Sequence, residues 1–425
     1  MQKCLRILAS AIFVMFMVSS SALATNGDNL IAIGAIARSM GGVGIAAPLD
    51  AISAVFSNPA AMCFGPYCPS SEINFDGTLF MPKVDAKIKR VNETISADGE
   101  DQVYAIPAIG LSVPITDKFP FWRFGLAAYG VTGLGVDYRG TSLDQPRYYN
   151  FGPFGQFPLI AGEYTQLSIM KFAPAIAVQP NERLSFGLAA HIDYSTLDLR
   201  DGSSPGYGIG AQLGMIYKVN DSLSLGLNYI TPQNVDYDNV FDFDGDGISD
   251  RLKLESPQQI GLGVAYKFFN YKMLLEADVK WINWANANGY EDFDWDNQWV
   301  FAVGGQYQPI QKLFLRMGYN YGANPVNEHN GWDGTPTSQI TVQGKNLPRY
   351  YYETFRVIGF PAVVEHHITA GIGYEFSPKF ALNLGLMHAF SKTLKEQGTD
   401  LTGQPVGIES TLSENSLDLG LTWRF

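Results

Sequence analysis

The sequence predicts an all-β protein: a transmembrane antiparallel β-barrel of about 14 strands, with an N-terminal, mostly helical hatch plugging the lumen. Three observations predict it. The last twelve residues, Glu414 to Phe425, alternate strictly. Leu417, Leu419, Leu421, Trp423 and Phe425 form one row, and Ser416, Asp418, Gly420, Thr422 and Arg424 the other. Period-two alternation sends the two rows to opposite faces, here lipid and lumen. The chain is also 46% hydrophobic and 13% aromatic but only 16% charged, with no apolar run after the N-terminus long enough for a membrane helix. Soluble proteins carry about a quarter charged residues, and apolar content without apolar runs is what alternation produces. Finally, the connections between alternating segments are short and long by turns, as periplasmic turns and external loops are.

The N-terminus reads as a secretory signal over residues 1–24. Lys3 and Arg6 precede an apolar stretch, Ile7 to Val18, too short to span a bilayer as a helix, and Ala22-Leu23-Ala24 offers a cleavage site. An uncleaved anchor is the alternative. Cys4 lies too early to be a lipoprotein cysteine. The formal charge is −12, and loss of the signal leaves 27 basic against 41 acidic residues. No basic run suggests nucleic acid as a partner.

Barrel segments occupy 71–425. Ile73, Phe75, Leu79 and Met81 alternate with Asn74, Asp76, Thr78 and Phe80. Gly/Ala-rich segments follow at 103–115 and 122–136, and the pattern blurs at 161–178 around Pro174. Clear rows resume: Leu184 to Tyr194, Tyr207 to Tyr217, Leu223 to Tyr229, Ile260 to Phe268 and Met273 to Trp281. In the last of these Glu276, Asp278 and Lys280 share a face, and three charges facing lipid would be too costly, so that face looks into the lumen. Trp299 to Tyr307, Leu313 to Tyr319, Ile368 to Tyr374, Phe380 to Leu386 and the C-terminal segment complete the set. Short connections fall at Thr116–Phe121, Pro180–Arg183, Asn220–Ser222, Phe269–Lys272, Pro309–Lys312 and Ser377–Lys379. The longest loop runs from Gly322 to Ala362.

Residues 25–70 do not alternate. Asn29 to Met40 is helical in composition and is broken by Gly41-Gly42-Val43-Gly44. Asp50 caps a second short helix, Ala51 to Phe56, which Asn58-Pro59-Ala60 ends. A barrel this wide is not filled by its own side chains, so the segment is placed in the lumen. The order of signal peptide, A-R-S-M-G-G-V-G-I-A (Ala37–Ala46), D-A-I-S-A-V-F-S-N-P-A-A-M (Asp50–Met62) and a strand pattern ending on Phe resembles the FadL-type outer-membrane transporters of long-chain fatty acids and related hydrophobic compounds, toluene-type hydrocarbon channels included. The resemblance covers essentially the whole mature chain. It implies a Gram-negative outer-membrane protein that captures a hydrophobic ligand at an external groove and passes it to an internal pocket. A shift of the hatch and an inward kink of the third strand then release it. Asn58, Pro59 and Ala60 match the hatch motif. The third-strand candidate is Phe124 to Tyr138, in which Gly130, Gly133 and Gly135 permit a kink or merely relieve crowding.

Several loop residues are ligand candidates. Phe151, Phe154, Phe157, Leu159 and Ile160 form an apolar cluster in a segment expected outside the cell, which suggests a capture groove or a self-packed lid. Arg147 and Arg349 are candidates to pair with a carboxylate head group, as are Arg139, Lys345 and Arg356, although a neighbouring acid such as Glu353 competes. Asp242, Asp244, Asp246 and Asp250, with the Ile248 carbonyl, follow the spacing of a calcium loop but lack the closing Glu of an EF-hand, since Lys253 stands there. The alternatives are a structural calcium ion or a solvated acidic tip, and no other cofactor is expected. Cys63 and Cys68, separated by four residues in an oxidising compartment, suggest a small disulfide loop.

The expected function is passive, monomeric uptake of a hydrophobic molecule, with outer-membrane lipid as the only other partner and no catalytic residue. Two other classes compete. His191, Asp193 and Ser195 share a lumen face, as a barrel hydrolase would require, but no oxyanion-hole motif accompanies them. A porin for hydrophilic solutes shares the strand pattern, but a Gly-rich hatch and an apolar loop speak against an open pore.

Overall fold

The computed structural model describes residues 26–425 except 101–102, 117–118, 201 and 243–246. Fourteen antiparallel strands close into a barrel: β1 (Glu72–Arg90), β2 (Tyr104–Thr116), β3 (Phe119–Asp137), β4 (Tyr164–Asn181), β5 (Leu184–Asp198), β6 (Ser203–Lys218), β7 (Leu223–Ile230), β8 (Gln259–Phe268), β9 (Met273–Ile282), β10 (Gln298–Ile310), β11 (Leu313–Gly322), β12 (His366–Ser377), β13 (Phe380–Thr399) and β14 (Pro405–Arg424). Each pairs with its chain neighbours. The seam is β14 on β1, in register from Glu72 opposite Arg424 to Arg90 opposite Val406. Closure gives each strand a partner on both sides, as hydrocarbon demands, with the β2–β3 ladder shorter than its strands.

The alternation read in the C-terminal segment is the physical alternation of the wall. Leu417, Leu419 and Trp423 are 40%, 44% and 52% exposed on the outside, while Ser416, Asp418 and Thr422 are 2%, 1% and 3% exposed inside. Several strands run well past the about 9–11 residues that cross a bilayer. The far halves of β1, β13 and β14 carry Lys89, Lys395 and Glu409 and rise beyond it as a paired ribbon.

The hatch enters through α1 (Ala35–Arg38), α2 (Ala51–Ser57) and a 3-10 turn, Pro59–Cys63. The helix expected over Asn29–Met40 shrinks to the four residues of α1. Upstream, Asn29 bridges Thr132 of β3 and the Leu30 N–H donates to the Val131 carbonyl, so those groups serve a strand-like contact. Gly34, at φ +87°, then turns the chain in a conformation that favours glycine. The second helix starts as expected, with Asp50 and Ser53 capping each other's backbone N–H.

The expected Cys63–Cys68 disulfide is a correction: both thiols are free. The Cys63 Sγ faces the Phe121 carbonyl at 3.5 Å and the Cys68 Sγ faces the Met62 carbonyl at 3.0 Å, so each thiol serves a separate backbone acceptor.

Candidate functional site

The hatch, whose apolar residues Ile31, Ile33, Ile52, Val55 and Met62 pack into the core, is also fastened to the wall by polar groups. Asp278 accepts the N–H groups of Gly44 and Ile45 (2.9 and 3.2 Å), and Glu276, two residues earlier on β9, accepts those of Ala46 and Ala47 (2.6 and 3.1 Å). Arg38, buried, donates to Asp418 and Ser416 of β14, each at 2.8 Å. Asp76 caps the Ala35 N–H at 2.7 Å, and Glu72 and Asn74 hold the Ala51 N–H. The inward carboxylates and amides thus complete a short, irregular segment whose own backbone leaves many groups unpaired.

The Asn-Pro-Ala motif sits at the centre of this contact. The Asn58 amide donates to the Ile45 carbonyl (2.8 Å) and reaches the Met215 and Leu227 carbonyls of the wall (3.1 and 3.2 Å), while its oxygen accepts the Ala60 N–H. Gly187 and Gly214 make the approach possible. A Cβ on Gly214 would stand 2.1 Å from Asn58 Oδ1, and one on Gly187 2.2 Å from the Ala60 nitrogen.

β3 changes partners above Tyr129. Its ladder with β2 ends at Ala108 opposite Tyr129, although β2 continues to Tyr104 in register with β1. On its other side the register with β4 shifts between Gly130 and Thr132, leaving Val131 as an extra residue. Such a bulge bends a strand. The Leu30 N–H meets the Val131 carbonyl at 3.2 Å, so the start of the described hatch docks on the bent segment. Ile106 of β2 packs where a Cβ of Gly130 would lie, and a Cβ on Gly135 would strike the Thr165 carbonyl; Gly133 pairs with Ser168 of β4.

Beside the bulge lies an internal cavity of about 50 Å³. Leu30, Phe56, Tyr129, Val131, Ile230 and Ile282 give it apolar walls, and Lys171, His191 and Lys280 line it as well. Lys171 is already paired with Asp193 (2.9 Å) and bonded to Gln233, and Lys280 points at the Ile31 and Gly42 carbonyls of the hatch. A larger concavity, about 730 Å³, opens on the lipid-facing wall among Trp122, Ile176, Phe186 and Leu213. It faces acyl chains, not the lumen.

The external loops pack on one another. Leu159 and Ile160 are fully buried, so they act as lid core and offer no surface for capture. The Leu159 carbonyl accepts from Tyr350 and the Pro158 carbonyl from Tyr351, both in α3 (Arg349–Thr354). Phe151 is half-buried and meets the exposed Phe157 edge-on at 5.6 Å; Phe154 ends a 3-10 turn, Gly152–Phe154. Below them Leu143, Pro146, Pro158 and Ile160 line a cavity of about 190 Å³, with Arg200 held between Asp144 and Glu163. Arg349 is paired with Glu353, Arg139 with Asp137, and Lys345 with Asp250, so the neighbouring acid wins in each case; Arg147 is exposed. Arg356, buried, joins Glu353 to Glu396. His329 bonds Glu353 at 2.9 Å and Asp294 at 2.8 Å; the bond to Glu353 lifts its imidazole above the usual value, against the cost of burial.

The other candidates are placed as follows. Ser195 bonds Tyr237 and the Ser168 carbonyl, while His191 stands near Lys171 at 3.5 Å, so no nucleophile–base contact joins them. Asp244 and Asp246 lie outside the described residues. Asp242 accepts the Gly247 N–H, Asp250 is taken by Lys345, and Ile248 is exposed. The residues that sequence reasoning missed are the anchors Arg38, Asp76 and Asp418 and the loop pair Arg200–Glu163. In the sequence they look like any lumen-facing or loop charge, and only the fold brings each beside its partner.

Residues 206–338 match the model of the outer membrane transport protein family (OMPP1/FadL/TodX). No curated protein matches the chain. Solved structures share the fold over nearly all of it. The toluene transporter TodX of P. putida superposes with a TM-score of 0.64 at 18% identity, covering 93% of this chain and 99% of its own. The toluene transporter TbuX of Ralstonia pickettii gives 0.62 at 15%, covering 93% and 99%. A FadL homologue of Pseudomonas aeruginosa gives 0.62 at 15%, covering 96% and 99%.

Proposed function

We propose that the chain is a member of the outer membrane transport protein family (OMPP1/FadL/TodX), whose model its residues 206–338 match, and we trace a route for the hydrophobic molecules it conducts. It is an outer-membrane channel of a Gram-negative bacterium through which such molecules pass without energy coupling. In the proposed route, residues 1–24 are removed as the signal and 25–70 act as the hatch of a monomeric barrel, 71–425. A long-chain fatty acid or a hydrocarbon, toluene-like compounds included, enters at the loop cavity beside Phe151 and Phe157. It passes to the internal cavity between hatch and β3, along the side formed by Leu30, Phe56, Val131 and Ile230. It leaves where β3 parts from β2, through a movement of the hatch.

The observation that supports the route best is the Leu30–Val131 contact. The hatch backbone rests on the bulge that bends β3, one wall of the internal cavity, which supports a route in which a hatch shift is coupled to a change of the wall. The test is uptake of radiolabelled oleate, hexadecane and toluene by cells lacking the protein and complemented with wild type or Leu30→Pro. Proline removes the donor. Wild type should restore uptake of at least one probe, and the variant should change its rate with the barrel still heat-resistant in gels. Equal rates in both would sink the coupling, and no restored probe would sink the route.

A further inference from the structure

On the periplasmic side of the hatch two cavities, about 210 and 130 Å³, adjoin through shared lining by Leu49, Pro66 and Gln306. The hatch gives them an apolar floor, with Phe64 beside Leu49 and Pro66. The wall gives them cations from the periplasmic ends of the strands, Lys218 of β6, Lys267 of β8 and Arg316 of β11, and the Arg424–Glu375 ion pair lines the smaller cavity as well. Among the described residues none of the three has an ion pair. Lys218 Nζ lies 3.9 Å from the centre of the Phe64 ring, and Lys267 Nζ lies 5.7 Å from that of Tyr271. Arg316 donates to the neutral amides of Gln306 (2.7 Å) and Asn383 (2.9 Å). The surrounding acids are engaged elsewhere: Glu72 and Glu375 with Arg424, Glu276 with the hatch N–H groups, Asp50 with Ser53.

In a chain with 41 acidic and 29 basic residues, three cations without an ion pair around an apolar floor, beside a Glu375 already taken by Arg424, set the charge of this site. We propose that the vestibule is a periplasmic binding site for an apolar molecule with a carboxylate head: its body lies on Leu49, Phe64 and Pro66, and its head between Lys218 and Lys267. The ammonium groups present point charges to the head, and Phe64 serves both the body and, through its ring face, Lys218. The site rests on the reading of the chain as a channel for hydrophobic molecules and adds to it a way out beneath the hatch, selective for acids, apart from the gap beside β3.

The test measures binding of octanoate and of its neutral counterpart, octanol, to the full mature barrel in a non-ionic detergent. Wild type should bind octanoate more tightly, and only octanoate should weaken as salt rises. Lys218→Met with Lys267→Met should weaken octanoate about tenfold, the loss of one good charge-assisted contact and a second, more exposed one, and leave octanol unchanged. The paired Arg substitutions should retain binding. Unchanged octanoate affinity in the Met variant, equal losses for both probes, or a wild-type affinity that ignores salt would each overturn the proposal. The salt series uses wild type and decides the matter even where the Met variant does not fold. Uptake of toluene into liposomes through the wild-type barrel tests the channel reading separately, since a neutral probe has no use for the lysines.

Discussion

Replacement of Arg38 by Met is expected to release the hatch while leaving the barrel closed. The Arg38 guanidinium is buried, binds Asp418 and Ser416, and reaches the Ala32 carbonyl at 3.2 Å. Methionine keeps most of the apolar stem and removes all three contacts. Asp418, itself 1% exposed, then keeps only hydroxyl partners such as Thr78. Breaking a buried pair on one side costs about 3–5 kcal/mol, because the remaining charge is uncompensated. The β13–β14 and β14–β1 ladders are backbone contacts and do not change, so the cost falls on hatch docking, whose equilibrium drops by roughly two to nearly four powers of ten. Hydrogen exchange on the detergent-solubilised barrel reads this directly. Amides of α1 and α2 should exchange faster in the variant, those of β14 at the wild-type rate, and liposome swelling in arabinose should show a new leak. The double variant Arg38→Met, Asp418→Asn should recover much of the protection, since both charges are gone. Wild-type exchange across α1 in the single variant, with a heat-modifiable barrel, would refute the reasoning.

Three further outcomes are expected. Asn58→Ala strips a bridge between hatch and wall and the cap on Ala60, for about 2–4 kcal/mol, and should alter hydrophobe uptake in a barrel that stays heat-resistant; uptake equal to wild type would reduce the motif to structural punctuation. Gly187→Ala and Gly214→Ala drive a Cβ into the hatch and should raise liposome permeability to arabinose, whereas Gly77→Ala, which meets nothing within 4 Å, should not; equal permeability in all three would show that the hatch yields freely. His329, whose value is raised by its bonds to Glu353 and Asp294, stabilises the loop cluster fully below the unfolded value of about 6.5 and loses that contribution as pH rises through the folded value. Trypsin cleavage within 323–365 should therefore accelerate as pH climbs past that point, once corrected for the protease's own profile, and a His329→Gln variant that kept the same pH dependence would count against it.

What the sequence made legible is what the membrane dictates. Lipid on one side and lumen on the other impose a two-residue period, so a row such as Ile260 to Phe268 located its strand to within a few residues, and the row through Leu417, Leu419 and Trp423 located the membrane half of a strand that begins at Pro405. Where strands leave the bilayer that period fades. β1 was read to Met81 and runs to Arg90; β13 was read to Leu386 and runs to Thr399, through residues such as Lys392, Lys395 and Glu396 that have no lipid to face. The long loop from Gly322 hid a hairpin, Gln339–Val342 with Lys345–Pro348, and α3, because each is too short to establish a period and gains its order from contacts such as Tyr350 to Leu159. The hatch was legible as a plug and through its cap at Asp50. It was not legible at Asn29–Met40, where composition favours a helix and the Val131 carbonyl on a distant strand takes the Leu30 N–H instead.

The nature of the hatch interface bears on how such a channel opens. A plug held by apolar burial would release only by exposing its core to water, at about 25 cal/mol per Å². Here Ile52, Val55 and Met62 of the hatch are buried in the core, and the wall adds carboxylates, amides and hydroxyls: Glu276, Asp278 and Asp76 to hatch N–H groups, and Asn228, Gln212 and Ser185 to carbonyls of Ser57, Phe56 and Ala60. Water replaces such bonds at little net cost, since each contributes only about 0.5–1.5 kcal/mol, or about 1.5–3 where one partner is charged. The bonds lie on separate strands: one set on β9, one on β14, and the Leu30–Val131 and Asn29–Thr132 contacts on β3. Partial displacement at the β3 end therefore leaves the Arg38–Asp418 and Glu276–Asp278 anchors made. The route proposed above requires the hatch to yield at the β3 edge while it stays fastened at the others, and that edge is the one beside the internal cavity and the interrupted β2–β3 ladder.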